Sequence, residues 1–418
     1  MLARLFKINL QNQDDRNAYY LVVELFWAAI LGAIATFNGV YAVRLGASNT
    51  DIGLLTSIPA LLAIIVSIPA GKFLQSRPLR KPWILWSLGL HRTGFLLVAL
   101  VPLLKFFDLP VGPIAVWLLI ANTSLSTFFN TGWIPMLAEV VPEDRRAGVF
   151  AARNIVNGLT VSVVVFLSGI FLNNVIFPVN YQILYAFGFA ASMLSQIALV
   201  KISAPEVHAP PAPPAKNLTL RQKVSQLRQF FNRQPAFTRI VADTFMHGSG
   251  IWMATPVYTL FFVRTLGADE AWVGLNGTVN GVAAIFSFMF WRWAIKKLGE
   301  HTTLKITIVC AGIYPLLVGL LGNLNLILLA TAFNSLVAAG INLSHFNTLL
   351  KVIPEEQRTE YFSVYATLLN IGAFVLPLVG VVLGEMVGFG PVLILCGVLS
   401  IAGSSSFWWL PVLGKTHR

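Results

Sequence analysis

Charged side chains are scarce in this sequence. Only 11% of its 418 residues are Asp, Glu, Lys or Arg, where a soluble domain carries about a quarter. With 56% hydrophobic residues and a mean hydropathy of +0.74, too little polar surface remains to face water. The chain therefore reads as a membrane protein that crosses the bilayer repeatedly. Cysteine is almost missing too. Cys310 and Cys396 both sit inside apolar runs, so neither a disulfide framework nor a thiolate metal site is expected. The sequence shows no phosphate-binding glycine loop, no nucleophile triad and no metal-ligand cluster, which argues against an enzyme and against any cofactor. No cleavable leader is expected either: MLARLFKINLQNQDDR is short and charged, and the first long apolar run has no cleavage-like site. Insertion is expected to use that first run itself.

Acidic residues are fewer than basic ones, 17 against 29, for a net charge of +12. Such an excess can serve nucleic acid, but its placement says otherwise. Apolar runs long enough to span, about 20 residues, number twelve in this reading, from 18–43 to 391–413. If the N-terminus is cytoplasmic, 26 of the 29 basic residues fall on the cytoplasmic side, leaving Arg44, Lys105 and Arg264 outside. That is the positive-inside rule at work. The lipid bilayer is the expected partner and nucleic acid is not. Both termini are expected in the cytoplasm, with the chain a multi-pass protein of the cell (inner) membrane.

One long polar stretch, residues 203–235, interrupts the apolar series. Its Pro/Ala segment, Pro205 to Pro214, can neither continue a helix nor pack a core. After it, Leu220, Val224, Leu227 and Phe231 recur at helical spacing opposite Arg221, Lys223 and Arg228. This fits a basic amphipathic helix at a membrane surface, or equally a solvated helix in a loop. The stretch divides the chain into an N-terminal half, 1–202, a cytoplasmic linker, 203–235, and a C-terminal half, 236–418.

The halves resemble each other. Leu45-Gly46-Ala47 and Ile52-Gly53-Leu54 return as Leu266-Gly267-Ala268 and Val273-Gly274-Leu275 at a constant offset of 221. Pro142-Glu143-Asp144-Arg145-Arg146 with Phe150 returns as Pro354-Glu355-Glu356-Gln357-Arg358 with Phe362 at an offset of 212. Two matches in the same order indicate an internal duplication.

Between the second and third spans, the loop from Gly71 to Lys81 resembles the signature loop of the major facilitator superfamily. That signature has a glycine, an acid four residues on, a second glycine and then basic residues. Gly71 and Arg80 fit it, whereas Gln75 stands where the acid is expected and Pro78 where the second glycine is. The corresponding loop of the second half, 292–301, keeps Gly299 and basic residues. The resemblance implies an all-α membrane fold of twelve helices in two pseudo-symmetric six-helix bundles. It also implies a cytoplasmic latch at this loop. Without the acid, Glu139 at the end of the fourth span is the candidate charge, with Arg80, Arg145 or Arg153 as partner; solvation of Glu139 by headgroups is the plain alternative. The fifth span has Gly158 and Gly169 but no Gly-Pro pair, a departure from the proton-coupled drug antiporters of the superfamily.

Ionisable groups inside a span cost a few kcal/mol at the bilayer centre, so each is a functional candidate. Glu24 lies roughly 12 Å of helix rise beyond Arg16, in the first span. Asp243 and His247 are four apart in the seventh and share a face. A carboxylate in low dielectric gains a proton more readily and an imidazole beside it can share that proton, which is what coupling to a proton gradient requires. Structural pairings compete with this: Glu24 with Arg16 or Arg92, Asp243 with Arg239. The fourth span carries Asn122, Ser126 and Asn130 at strict four-residue spacing, and its repeat partner, the tenth, carries Asn334, Asn342 and His345. With Asn38, these either line a water-filled cavity or join helices by hydrogen bonds.

The sequence thus points to a monomeric secondary transporter of a small organic solute, with protons as a candidate coupling ion. The other class it leaves open is a membrane assembly or pigment-delivery factor, or a lipid-handling protein, on the same fold.

Overall fold

A computed structural model describes residues 10–204, 231–232, 234–354 and 357–409. The linker segment 205–230, with most of the amphipathic helix read there, lies outside them. Among the described residues the chain is helical, with no strand, and its helices form twelve successive rods. They are α1 (Gln13–Arg44, through a 3-10 turn at Ala35–Phe37), α2 (Asn49–Gln75), α3 (Lys81–Phe107), α4 (Val111–Val140), α5 (Glu143–Asn174) and α6 (Val179–Val200) in the first half. The second half has α7 (Pro235–Leu260, continued by a π turn at Phe261–Thr265), α8 (Glu270–Leu298), α9 (Glu300–Leu321), α10 (Leu324–Val352), α11 (Arg358–Val387) and α12 (Phe389–Trp409). Ten are long and apolar enough to cross a membrane by length and composition; α7 and α12 complete the twelve.

The repeat is visible in backbone detail. At the end of α1, Gly46 takes φ +87°, its N–H reaches the carbonyl of Val43, and that of Ala47 reaches Ala42, both at 3.0 Å. This is the Schellman ending, which calls for a residue free to adopt the left-handed region. Gly267, at the end of the π turn, takes φ +69°. The next helix is then capped in both copies. The Ser48 hydroxyl accepts from the N–H of Asp51 at 3.1 Å, while Asp269 Oδ1 accepts from the N–H of Trp272 at 2.7 Å. The equivalent glycines and caps keep the 221-residue offset seen in the sequence.

Packing repeats as well. α1 packs on α5 and α6, and α3 on α4 and α6; likewise α7 packs on α11 and α12, and α9 on α10 and α12. The pairing of α2 with α4 has its counterpart in α8 and α10, where Ser287 Oγ and Trp291 Nε1 both donate to the carbonyl of Leu336, at 2.5 and 2.6 Å. Two six-helix bundles with the same internal order result.

By contacts the chain divides into two compact units, one of α1–α6 with Ala268–Val282, the other of α7, the rest of α8 and α9–α12. In the first, Tyr41 stacks on Tyr181 with centroids 4.7 Å apart and donates to the carbonyl of Val98, closing a core with Ile34, Phe37 and Tyr185. In the second, Phe237, Ile240, Leu304, Tyr361 and Phe407 form the equivalent buried cluster. Large apolar side chains such as Ile65, Trp86, Phe286 and Met289 point outward, as lipid-facing residues must.

Glycine permits one close crossing. A Cβ on Gly274, near the start of α8, would lie 2.9 Å from Gly169 Cα and 2.9 Å from the carbonyl oxygen of Val165 on α5. Gly274→Val should therefore destabilise the protein by about 1–3 kcal/mol through overpacking, read as a lower unfolding temperature in detergent. Gly148→Ala, where a Cβ meets nothing, serves as the control. An unchanged unfolding temperature for the valine variant would mean that this crossing is not close.

Candidate functional site

Three buried charges meet in the first bundle. Glu24, on α1, is 4% exposed, Arg92, on α3, 2%, and Arg153, on α5, 7%. Counted along their helices, they stand 11, 11 and 10 residues from Gln13, Lys81 and Glu143, roughly 15–16 Å in from one end of each helix. Three helices, α1, α3 and α5, thus bring three charges to one depth. Arg153 Nη1 sits 2.9 Å from Glu24 Oε2 and also donates to the carbonyl of Leu21. Ser195 Oγ, on α6, donates to Glu24 Oε1 at 3.3 Å and accepts from Arg92 Nη2 at 2.6 Å. Arg92 Nη1 donates to Gln196 Oε1 at 2.6 Å, and Gln196 Nε2 continues to the carbonyl of Leu85 at 2.8 Å. The ring of Trp133, on α4, lies 5.5 Å from the Arg153 guanidinium, close enough for a cation–π contact.

This corrects two readings of the sequence. Arg92 and Arg153, counted with the cytoplasmic charges, are buried in the bundle. Glu24 pairs directly with Arg153, and with Arg92 only through Ser195; Arg16 instead donates to Ser203 Oγ.

Beside the network lies a cavity of about 230 Å³. Ala28, Gly32 and Ala35 leave its α1 wall low, Phe95 and Phe129 supply aromatic faces, and Arg92 reaches it from α3. Ser126 and Asn130 of the polar stripe line it, as does His91, a residue the sequence did not single out. Asn122, one turn further along, is 5% exposed, and its side-chain amide has no hydrogen-bond partner; its backbone carbonyl faces His91 Nδ1 at 3.1 Å. Asn38 is engaged differently, accepting from the Tyr185 hydroxyl at 2.8 Å, a bond between helices.

In the second bundle, α7 carries the other titratable groups. Asp243 is 4% and His247 9% exposed. The hydrogen bonds of His247 run to α12, its Nδ1 standing 2.8 Å from Ser404 Oγ and 2.9 Å from Ser400 Oγ. Between them in sequence, Thr244 Oγ1 meets His345 Nε2 of α10 at 2.8 Å, and the ring of Tyr365 lies 6.1 Å from that imidazole. Asn334 is half-buried and Asn342 exposed.

Helix ends carry further ion pairs. Arg80 Nη1 and Glu139 Oε1 are 3.3 Å apart, joining the start of α3 to the end of α4. Glu300 and Lys351 join α9 to α10 at 2.5 Å, and Asn347 adds a bond to Glu300 at 2.8 Å. At the opposite helix ends, Arg44 grips Glu270 with two bonds, 2.9 and 3.2 Å, and the Tyr181 hydroxyl adds a third at 3.3 Å. Glu270, in the first turn of α8, also faces the positive end of that helix.

Compared with known families, the sequence matches the profile of the Major Facilitator Superfamily over residues 19–246 and again over 240–418. The chain belongs to the major facilitator superfamily. One curated relative, the "Na(+), Li(+), K(+)/H(+) antiporter" of Planococcus maritimus, is 30% identical over 153 residues. That match covers 35% of this chain and 35% of the antiporter, so the chain spans about a third of that relative's length. Among solved structures, the nucleoside transporter NupG aligns over 94% of this chain and 99% of its own, with 13% identity and a TM-score of 0.68. A bacterial homolog of the human lysosomal transporter Spinster, inward-facing and occupied, aligns over 94% and 96%, at 10% identity and TM-score 0.68. These structural likenesses are ones of fold.

Within this superfamily fold, the signature loop has altered chemistry. Gln75 is exposed and Gly71 makes only ordinary contact with Thr131, 3.7 Å from where its Cβ would lie. The helix-end work falls to Lys81, whose Nζ donates to the carbonyls of Val200 and Ile202 at 2.7 and 2.6 Å, capping α6. The repeat also inverts the neighbouring pair. Lys351 stands 212 residues after Glu139, the offset of the Pro142 motif, and Glu300 stands at the start of α9 as Arg80 stands at the start of α3. Base and acid have changed helices while the pair is kept.

Proposed function

We propose that this protein is a secondary transporter that moves a small organic solute across the cell membrane by alternating access, coupled to protons. The observation that carries this reading is the buried chain of Glu24, Arg153, Ser195 and Arg92 beside a cavity with both polar and apolar walls, in a bundle whose helices cross the bilayer. Three charges at that depth cost several kcal/mol to bury, and packing alone gives no return for it. A membrane assembly or lipid-handling factor on the same fold needs no such cavity.

In this reading, residues 1–202 and 236–418 are the two rocking bodies, 203–235 is the cytoplasmic linker and the monomer is the working unit. Arg92 and Arg153 aside, Arg44, Lys105 and Arg264 are still the only basic residues placed away from the cytoplasm, which supports cytoplasmic termini. The Arg80–Glu139 and Glu300–Lys351 pairs, each inside one of the two bodies, serve as cytoplasmic latches that hold their helix ends together. Coupling falls to Asp243 and His247, and the proton in the name of the partial antiporter relative supports it. An inorganic cation as cargo is disfavoured at the first bundle, where guanidinium outnumbers carboxylate.

The test is solute movement by the purified protein in proteoliposomes. Ligands found by thermal shift should show counterflow, the uptake of labelled solute against unlabelled solute inside. A protein that binds them yet gives no counterflow in a well-reconstituted sample is not a transporter.

A further inference from the structure

Resting on that reading, we propose that the cavity of the first bundle binds an organic monoanion, a carboxylate with a short apolar or aromatic body, with Arg92 holding the carboxylate. Charge count leads to this. One carboxylate, Glu24, stands against two buried guanidinium groups, and Arg153 takes it directly at 2.9 Å. Arg92, 2% exposed, gives two N–H groups to neutral acceptors, Ser195 Oγ and Gln196 Oε1. The network therefore carries one positive charge more than negative, and Arg92 is its member that lines the cavity.

A charge in low dielectric is stabilised by an opposite charge and poorly by neutral dipoles alone. A guanidinium offers planar N–H pairs that match a carboxylate. One negative charge balances the network; a dianion would leave it negative, a cation would double its excess and a neutral solute would leave it unbalanced. Ser126 and Asn130 add hydrogen-bonding groups around the head, while Leu88, Phe95 and Phe129 face the body.

The experiment is calorimetric titration of the full-length protein in neutral detergent with benzoate and hexanoate, their neutral isosteres benzamide and hexanamide, and the dianion phenyl phosphate. At least one acid should bind on the order of tenfold to a hundredfold more tightly than its amide. Arg92→Gln should abolish that preference. In case this variant fails to fold, Asn130→Asp places a carboxylate in the same cavity wall with almost no change of shape, and it should weaken acid binding by about tenfold or more while sparing any amide binding. Equal binding of acid and amide, tighter binding of phenyl phosphate, no binding of either acid, or full acid affinity in Asn130→Asp would each overturn the assignment. The transport reading fails separately: counterflow of neutral solutes without acid binding sinks the anion site alone, and acid binding without movement across vesicles sinks transport alone.

Discussion

Replacing Arg153 by methionine should destabilise the protein by about 3–5 kcal/mol, the largest loss expected of any single substitution in the first bundle. The variant leaves the Glu24 carboxylate 4% exposed with only the Ser195 hydroxyl donating to it. Glu24→Gln should cost a comparable amount for the opposite reason, because two guanidinium groups then share a site with no carboxylate. Combining them removes one charge of each sign and leaves Arg92 on the Ser195 and Gln196 oxygens it already uses. The double variant should therefore be more stable than either single one. Unfolding in detergent, followed by tryptophan fluorescence, measures the cycle. Strictly additive losses would show that Glu24 and Arg153 do not act as a pair.

The pairing could not be read from the sequence because it joins residues 129 apart on helices whose apolar faces carry no period that singles them out. The order of the spans was legible, since apolar runs and the repeated Leu-Gly-Ala ending are local signals. A helix ending that requires a left-handed residue writes glycine at the same place in both halves, and Gly46 and Gly267 do so. Burial of a basic residue leaves no such mark. By sequence Arg92 counts with the cytoplasmic charges Arg77, Arg80 and Lys81, yet it lies about 16 Å inside α3 at ordinary helical rise. Its depth was available from counting alone. The inverted ion pair was available too: the 212-residue offset of the Pro142 motif carries Glu139 onto Lys351, but a reversed charge does not score as a match.

The polar stripe of α4 divides in a way that its spacing did not reveal. Four-residue spacing puts Asn122, Ser126 and Asn130 on one face, and Ser126 and Asn130 do line the cavity. Asn122 is packed where a Cβ on Gly94 would strike it, within 2.9 Å of its Nδ2. Whether a polar face borders a cavity or a neighbouring helix depends on the size of the residue opposite, here a glycine on α3. That information lies 28 residues away in the chain, and helical period is blind to it.

Asp243→Asn should abolish proton-driven accumulation while leaving exchange of solute across the membrane largely intact. With one proton per solute, a gradient of one pH unit supports at most about tenfold accumulation, and the variant should fall to none. The split follows from chemistry: asparagine keeps the shape of the protonated acid but can neither gain nor release the proton. Asp243 is 4% exposed on α7, one helical turn from His247, whose Nδ1 already meets the Ser400 and Ser404 hydroxyls of α12. Thr244 links the same turn to His345 on α10, so a change of protonation at this turn bears on three helices of the bundle at once. Solute exchange needs only that the bundles rock with cargo bound, and a fixed neutral side chain permits that. Asn could also lower the yield of folded protein through altered packing, so protein level in the vesicles is measured alongside. Unchanged pH-dependent accumulation in a well-expressed Asp243→Asn protein would discard the Asp243–His247 pair. Coupling would then pass to Glu24, and if Glu24→Gln also accumulated solute with the same pH dependence, neither carboxylate would carry the coupling proton.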